Sequence, residues 1–293
     1  MADKTGIAWC DSTFNPWIGC TKVSDGCKFC YAETQNARWH WVDRWGPSGT
    51  RRRTSAAKWD EVKRWNKAEF VECTFCGWRG EANAKDKCGC VAPFEDARRR
   101  VFCASLADVF EENDQLDGMR LELFDLMKRT PNLDWLVLTK RPENVARMVP
   151  WGMCVWPLNV WLGTTVENQE QVKRMIPLLE IPAPVHFVSV EPMLGPVDLR
   201  FPNRPNPESD VWVICGGESG AGCRPMDIEW ALSLRYQCGV ANVPFFMKQL
   251  GGHPNKRHDL ADFPAALRVR EFPNPTPAPP QMGTFGEGES EKQ

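Results

Sequence analysis

Cys20, Cys27 and Cys30 stand in the run Gly-Cys-Thr-Lys-Val-Ser-Asp-Gly-Cys-Lys-Phe-Cys, a C-x6-C-x2-C spacing directly after an aromatic, strand-like stretch from Phe14 to Ile18. Thiolates are ligands of zinc and of iron–sulfur clusters, and a closed site of either kind takes four. Three fall one short. Either one iron of a 4Fe-4S cluster is left open to a further ligand, or Cys10 completes a zinc site, or the thiols are buried apolar groups. A second set is complete in itself: Cys73, Cys76, Cys88 and Cys90, spaced C-x2-C-x11-C-x-C. Its first half reads as a zinc-ribbon knuckle, with Gly77 permitting the turn that aims backbone N–H groups at sulfur. Zinc is the expected occupant, an auxiliary iron–sulfur cluster the alternative.

The elements that must position these ligands are legible as short apolar runs alternating with helical patterns. Val101–Ala104 precedes Leu116–Lys128; Trp135–Thr139 precedes Pro142–Met148; Val160–Thr164 precedes Gln169–Leu179; His186–Val190 follows; and Val211–Cys215 precedes Ile228–Cys238. With the strand before Cys20 this makes six, and Phe245–Lys248 is a candidate seventh. Strands apolar on both faces and separated by amphipathic helices predict an α/β fold with a parallel sheet of βα units. Polar residues follow nearly every strand: Ser105 and Asp108, then Thr139, Lys140 and Arg141, then Thr164, Thr165 and Glu167, then Glu191, then Glu218 and Ser219. Helix caps and turns account for any one of them. Their recurrence at one edge of the sheet predicts a shared pocket there.

Thirteen cysteines with no signal peptide and no long apolar run point to a reducing, cytoplasmic setting without a membrane, where thiols serve metals and not disulfides. A formal charge of -2 over 293 residues says nothing for or against a polyanionic partner. Local clustering does. Residues 38–67 hold nine Lys or Arg against three Asp or Glu, interleaved with Trp39, Trp41, Trp45, Trp59 and Trp65. That mixture suits nucleic acid, with Arg44, Arg51, Arg52, Arg53, Lys58 and Arg64 meeting phosphates and indoles stacking on bases. The competing reading is a solvated helix face whose tryptophans turn inward. Arg98, Arg99 and Arg100 extend the patch if the insertion folds back. The chain thus divides into a main body of residues 1–45 and 101–270, a basic insertion over 46–100 carrying the second cysteine set, and a Pro-, Gly- and Glu-rich segment over 271–293 expected to be disordered.

The words Phe14-Asn15-Pro16-Trp17-Ile18-Gly19-Cys20, Gly26-Cys27-Lys28-Phe29-Cys30-Tyr31-Ala32-Glu33 and Phe187-Val188-Ser189-Val190-Glu191-Pro192 resemble the radical S-adenosylmethionine (SAM) superfamily. The likeness is to an outlying branch encoded largely by phages and prophages, in which C-x6-C-x2-C replaces the usual C-x3-C-x2-C. The resemblance implies an incomplete (β/α)6 TIM-like barrel holding a 4Fe-4S cluster on Cys20, Cys27 and Cys30, with SAM on the open iron. It places Phe29 near the adenine. Ser105 and Asp108 would meet the methionine end and Thr165 and Glu167 the ribose, with Thr139 and Glu191 as further cofactor ligands. Gly216-Gly217-Glu218 spells the word that meets the methionine amine in many members, but it follows the sixth strand here instead of the second, so that role is not transferred.

The implied chemistry is reductive cleavage of SAM, fed by an electron donor such as flavodoxin or ferredoxin, followed by hydrogen abstraction from an unactivated carbon. Similar enzymes of phages that decorate thymine imply a particular substrate: a glycyl group linked through nitrogen to the thymine methyl carbon, rearranged to a carbon-linked amino acid in DNA. Its carboxylate would need a counter-charge from Lys140, Arg141, Arg224 or Lys248, with Glu218 at the same site. Repair of a DNA lesion or modification of RNA or a peptide would use the same trio. A non-catalytic nucleic-acid-binding zinc protein would use neither SAM nor iron.

Overall fold

The computed structural model describes residues 5–201, 210–219, 222–251 and 257–273. In chain order its elements open with β1 (Ser12–Phe14), β2 (Trp17–Ile18), α1 (Tyr31–Trp39), β3 (Arg52–Arg53) and α2 (Ala56–Lys67). Next come β4 (Phe70–Cys73), β5 (Arg79–Glu81), β6 (Phe94–Asp96), β7 (Arg99–Cys103), α3 (Asp117–Arg129) and β8 (Leu133–Thr139). The rest are α4 (Val145–Met148), β9 (Val160–Thr165), α5 (Met175–Leu179), β10 (Val185–Val190), β11 (Asp210–Gly216), α6 (Ile228–Val240) and β12 (Phe245–Gln249). Seven strands form one sheet in the order β1-β7-β8-β9-β10-β11-β12, with every neighbouring pair parallel. All seven sequence-predicted strands are in it.

The sheet is curled. Phe102 on β7 and Trp212 on β11 are four strands apart in the order, about 19 Å across a flat sheet. Yet the indole of Trp9 lies 4.5 Å from Phe102, 6.0 Å from Phe187 and 6.3 Å from Trp212. Because side chains alternate faces, each strand from β7 to β12 sends one large residue into this inner cluster: Phe102, Leu136, Trp161, Phe187, Trp212 and Phe246. The intervening residues, among them Val101, Val137, Leu162, Val188 and Val213, face the helices in a second and larger core. Phe272 closes the floor 5.3 Å from Trp212 and 5.2 Å from Phe246, beneath the Arg100 guanidinium at 4.0 Å. Residues 271–273 are therefore built into the body, and the remainder of the expected tail lies outside the described residues.

Local chemistry explains where boundaries moved. The predicted strand from Phe14 to Ile18 breaks at Asn15-Pro16, because proline has no N–H for the ladder; β1 joins the sheet and β2 turns away to pair antiparallel with β3. The predicted helix over 169–179 is a 3-10 stretch from Gln169 to Arg174 followed by α5, whose first turn holds Pro177. The insertion is also smaller than the sequence suggests. Helix α2 buries Trp59, Val62 and Trp65 in the main core, with Trp59 edge-on to Phe14 at 5.3 Å, so only the β5-β4-β6 sheet and its loops stand apart.

His186 on β10 is buried, its Nε2 donating to the Ile181 carbonyl at 2.8 Å, and burial pushes its pKa down to about 4. The unfolded chain takes up that proton near pH 6.5 while the folded chain refuses it until about 4, so stability falls as pH drops through this window. The loss reaches about 3 kcal/mol at the acid end. Urea titrations of His186→Gln at pH 7 and pH 4.5 are expected to show a smaller acid-induced loss than the wild type; identical pH dependence would contradict the assignment.

Candidate functional site

A cavity of about 380 Å³ opens where β7 to β12 end. Cys20, Cys27 and Cys30 line one wall, with Phe29 and Tyr31 beside them; Ser105, Lys140, Thr165, Ser189, Glu191 and Lys248 line the strand-end wall; Trp9 is at the base. The cysteine loop reaches this position because β2 ends at Ile18 and Gly19 donates to the Leu106 carbonyl at 3.2 Å, which ties the loop to the segment after β7. Cys30 then occupies the N-cap position of α1.

Four buried or half-buried ion pairs, each anchored on a different part of the body, grip the loop from Thr21 to Asp25. Arg51 is bidentate to Glu111 at 2.6 and 2.8 Å and donates to Thr21 Oγ1 at 2.9 Å. Arg141 pairs with Asp108 at 2.8 Å and donates to the Thr21 carbonyl at 2.7 Å. Arg174 pairs with Glu167 at 2.7 Å, and Glu167 accepts from the Ser24 hydroxyl. Arg224 pairs with Glu218 at 2.6 and 3.0 Å and donates to the Asp25 carbonyl at 3.0 Å. Gly26 is required here, since a Cβ would meet Glu167 Oε1 at 2.9 Å.

This clamp uses several of the residues that the sequence singles out. Asp108 accepts from Thr139 Oγ1, Phe110 N, Lys140 N and Arg141, which leaves its carboxylate no capacity for a cofactor. Thr139 is buried with its hydroxyl spent on Asp108, and Glu167 is fully buried against Arg174. Arg141, Arg224 and Glu218 take part in the clamp, and Lys248 is held by Glu191 at 2.7 Å. Arg51 is buried in its pair with Glu111 and does not reach a phosphate. Gly216 and Gly217 allow close packing of the protein itself, since added Cβ atoms would strike Glu191 and Gly251. Phe29, Ser105, Asp108, Thr139, Lys140, Arg141, Thr165, Glu191, Glu218 and Lys248 all line the cavity, whereas Glu167 and Arg224 do not. Lys140 is the one lysine or arginine on that wall whose side chain has no hydrogen-bond or ion-pair partner among the described residues. Two buried polar atoms of residues lining the same cavity also lack partners among the described residues, Thr165 Oγ1 and Trp9 Nε1. Sequence reasoning missed Trp9, Tyr31 and Ser189 as wall residues, and missed Ser24 and Glu111, whose partners lie 143 and 60 residues away.

To hold a metal cluster the trio would first have to give up its protons. Burial pushes the Cys20 thiol up to about 12, with Asp108 and Glu111 adding to the effect and Arg141 opposing it; burial also raises Cys30. Metal must displace these protons, so loading strengthens as pH rises. A single zinc holds its thiolates about 3.8 Å apart, from a Zn–S bond of about 2.3 Å in a tetrahedron. Among the described residues, only Cys73, Cys76, Cys88 and Cys90 gather three or more such ligands for one ion, their sulfurs all within 4.8 Å of one another. The trio shares a wall without converging to that distance.

The second set converges as a single-ion site should. Cys76 and Cys88 sulfurs are 3.5 Å apart. Gly77 and Gly89 take positive φ of 67° and 71°, turning the knuckle and the one-residue spacer so that both pairs face inward. Backbone N–H groups of Cys76 and Phe75 lower the Cys73 thiol to about 7. The module is pinned to the body by Arg79 on Asp11 and by Arg99 on Glu81. Its own core is small, so an ion held by the four cysteines would be its staple. Cys76→Ser is expected to lose one metal equivalent and to speed hydrogen exchange in β4, β5 and β6 while β8 to β11 stay protected; unchanged exchange in β4 would contradict a structural ion.

Of the basic segment, Lys58 and Arg53 are paired with Glu61 and Glu122, and Arg98 and Arg99 with Asp134 and Glu81. Arg44, Arg52 and Arg64 are exposed, without a carboxylate partner among the described residues. Trp39 is 58% exposed under the Arg38 guanidinium at 4.9 Å, and Trp45 lines the cavity. Asn36 fixes this rim by bonding both backbone groups of Val42, and Gly46 donates to the Cys20 carbonyl at 3.1 Å. No helix among the described residues is long and apolar enough to cross a membrane.

Fold and site together define an α/β protein with a curled parallel sheet, a cysteine-lined cavity at its strand ends and a four-cysteine cluster. The chain belongs to the family described as protein of unknown function, DUF5131, whose profile spans residues 4–274. No curated protein and no solved structure matches it.

Proposed function

We propose that the chain is a radical SAM enzyme built on a partial (β/α) barrel, and that it rearranges an N-linked glycyl group on the thymine methyl carbon of DNA to a C-linked amino acid. One observation carries the class: among the described residues Cys20, Cys27 and Cys30, with no fourth cysteine, line the strand-end cavity without closing on a single ion. When bound, a 4Fe-4S cluster with SAM would supply the one-electron cleavage that starts hydrogen abstraction.

The chain's own residues do the rest. The four-pair clamp holds the cysteine loop in one geometry, so that ligands separated by up to ten residues face the cavity together. Trp9 and the aromatic layer beneath it seal the base against water, which protects a reactive carbon from unwanted hydrogen donors. Thr165 and Trp9 offer unsatisfied hydrogen-bonding groups to what fills the space. A thymine inside a duplex is out of reach, so the base must be extruded or single-stranded. The rim of Trp39, Arg44 and Trp45 is the surface that would hold it.

An isomerisation leaves mass unchanged, so the decisive assay is chromatography and fragmentation of nucleosides from DNA bearing the N-linked glycyl group after anaerobic turnover. Appearance of an isomer whose amino acid no longer fragments from the methyl carbon at the C–N bond supports the reading. Recovery of unaltered DNA, with deoxyadenosine formed on RNA, peptide or damaged DNA instead, contradicts it. Trp39→Ala is expected to weaken single-stranded DNA binding by about tenfold, the worth of one stacked base. Arg44→Ala should lower the slope of log affinity against log salt by about one. Lys58→Ala, already paired with Glu61, should leave both unchanged; if it weakens binding as much as Trp39→Ala does, the rim assignment is wrong.

A further inference from the structure

The unpartnered groups of the cavity wall are not scattered. Thr139 on β8 pairs in register with Thr164 on β9, and Thr165 pairs with Ser189 on β10. Lys140, Thr165 and Ser189 therefore follow one another across adjacent strands, about 4.8 Å apart per strand, and all three line the cavity. Among the described residues, Lys140 brings a positive charge that no carboxylate answers, and Thr165, itself 1% exposed, brings a buried hydroxyl with no hydrogen-bond partner. Ser189 leans on Glu191 Oε2 at 3.5 Å, so the row ends in a carboxylate, itself shared with Lys248.

We infer that Lys140 and Thr165 form the carboxylate subsite for the α-amino-acid portion of a ligand, with Glu191 facing its amine. One ammonium and one hydroxyl match a monoanion, and the Lys140 backbone N–H is already given to Asp108. The sequence distributes the same counter-charge among Lys140, Arg141, Arg224 and Lys248, and the last three already hold acidic partners. Two ligands of the proposed enzyme carry this chemistry, the glycyl group of the substrate and the methionine end of SAM. The subsite belongs to the substrate, a choice that rests on the function proposed above.

The test titrates the full-length protein with N-methylglycine as the aminoacyl probe and with SAM as the cofactor probe, for wild type, Lys140→Met and Thr165→Val. Methylamine and methylthioadenosine serve as the carboxylate-free controls, and thermal melting confirms that both variants fold. Binding of N-methylglycine about tenfold weaker in both variants, with SAM unaffected, is the expected result. The same loss for SAM, with methylthioadenosine unaffected, keeps the carboxylate subsite but moves it to the cofactor and overturns its assignment to the substrate. Equal affinity of all three proteins for both probes, or failure of the wild type to bind either, overturns the subsite itself. Iron content and deoxyadenosine formation on the same samples report separately on the enzyme reading, so the two can fail independently.

Discussion

Replacing Cys27 by alanine is expected to reduce 5'-deoxyadenosine formation to background and to strip iron from the trio, while the melting temperature stays close to that of the wild type. Three thiolates are the minimum that holds a cluster with one open iron, and two do not suffice. The fold is expected to survive because the short 3-10 turn of Asp25–Cys27 has no buried residue, and the loop's anchors are Thr21, Ser24 and Asp25 rather than the sulfur. The measurement is iron per chain and deoxyadenosine per chain after anaerobic incubation with SAM and a reductant. Retention of full iron, or of deoxyadenosine formation, in Cys27→Ala would show that the cavity cysteines are not the cluster ligands.

Arg51→Met is expected to be the most destabilising charge removal in the molecule. Its guanidinium makes two bonds to Glu111 and others to the Gly49 and Gly46 carbonyls and Thr21 Oγ1, with both charged side chains almost fully buried. Deleting one partner strands the other charge, at a cost of about 3–5 kcal/mol, or a fall of about 10 °C in melting temperature for a chain of this size. Replacing both, as Arg51→Met with Glu111→Leu, should recover much of that stability, since apolar pairs often substitute for buried ions. It should not recover full iron retention, because Thr21 is still released. If Arg51→Met melts like the wild type yet binds DNA with a weaker salt dependence, Arg51 is a strand contact and the clamp is wrong.

The sheet was legible because buried parallel strands are written as continuous apolar runs, and the seven runs were all strands. The cavity was legible as a place, since polar residues after successive strands do gather at one edge. The roles of individual residues were not. Asp108, Arg141, Glu167, Glu218 and Arg224 carry the charges expected of ligands, but each charge is answered by another across a gap in sequence that no local pattern encodes. The surface of the insertion misled for a related reason. Trp59 and Trp65 sit on α2 at positions that turn to the core, and a net charge counts cations without showing that Arg53 and Lys58 are already neutralised. What the sequence could not hide was composition at fixed spacing: the C-x2-C-x11-C-x-C set converges as its ligand chemistry requires.

The most direct test of the central claim is the electron paramagnetic resonance spectrum of the anaerobically purified, reduced protein, recorded with and without SAM. A vacant iron corner predicts a 4Fe-4S signal, about four irons per chain beyond the ion of the four-cysteine module, and a change in that signal when SAM is added. A protein carrying only zinc, or a cluster signal indifferent to SAM, would contradict it.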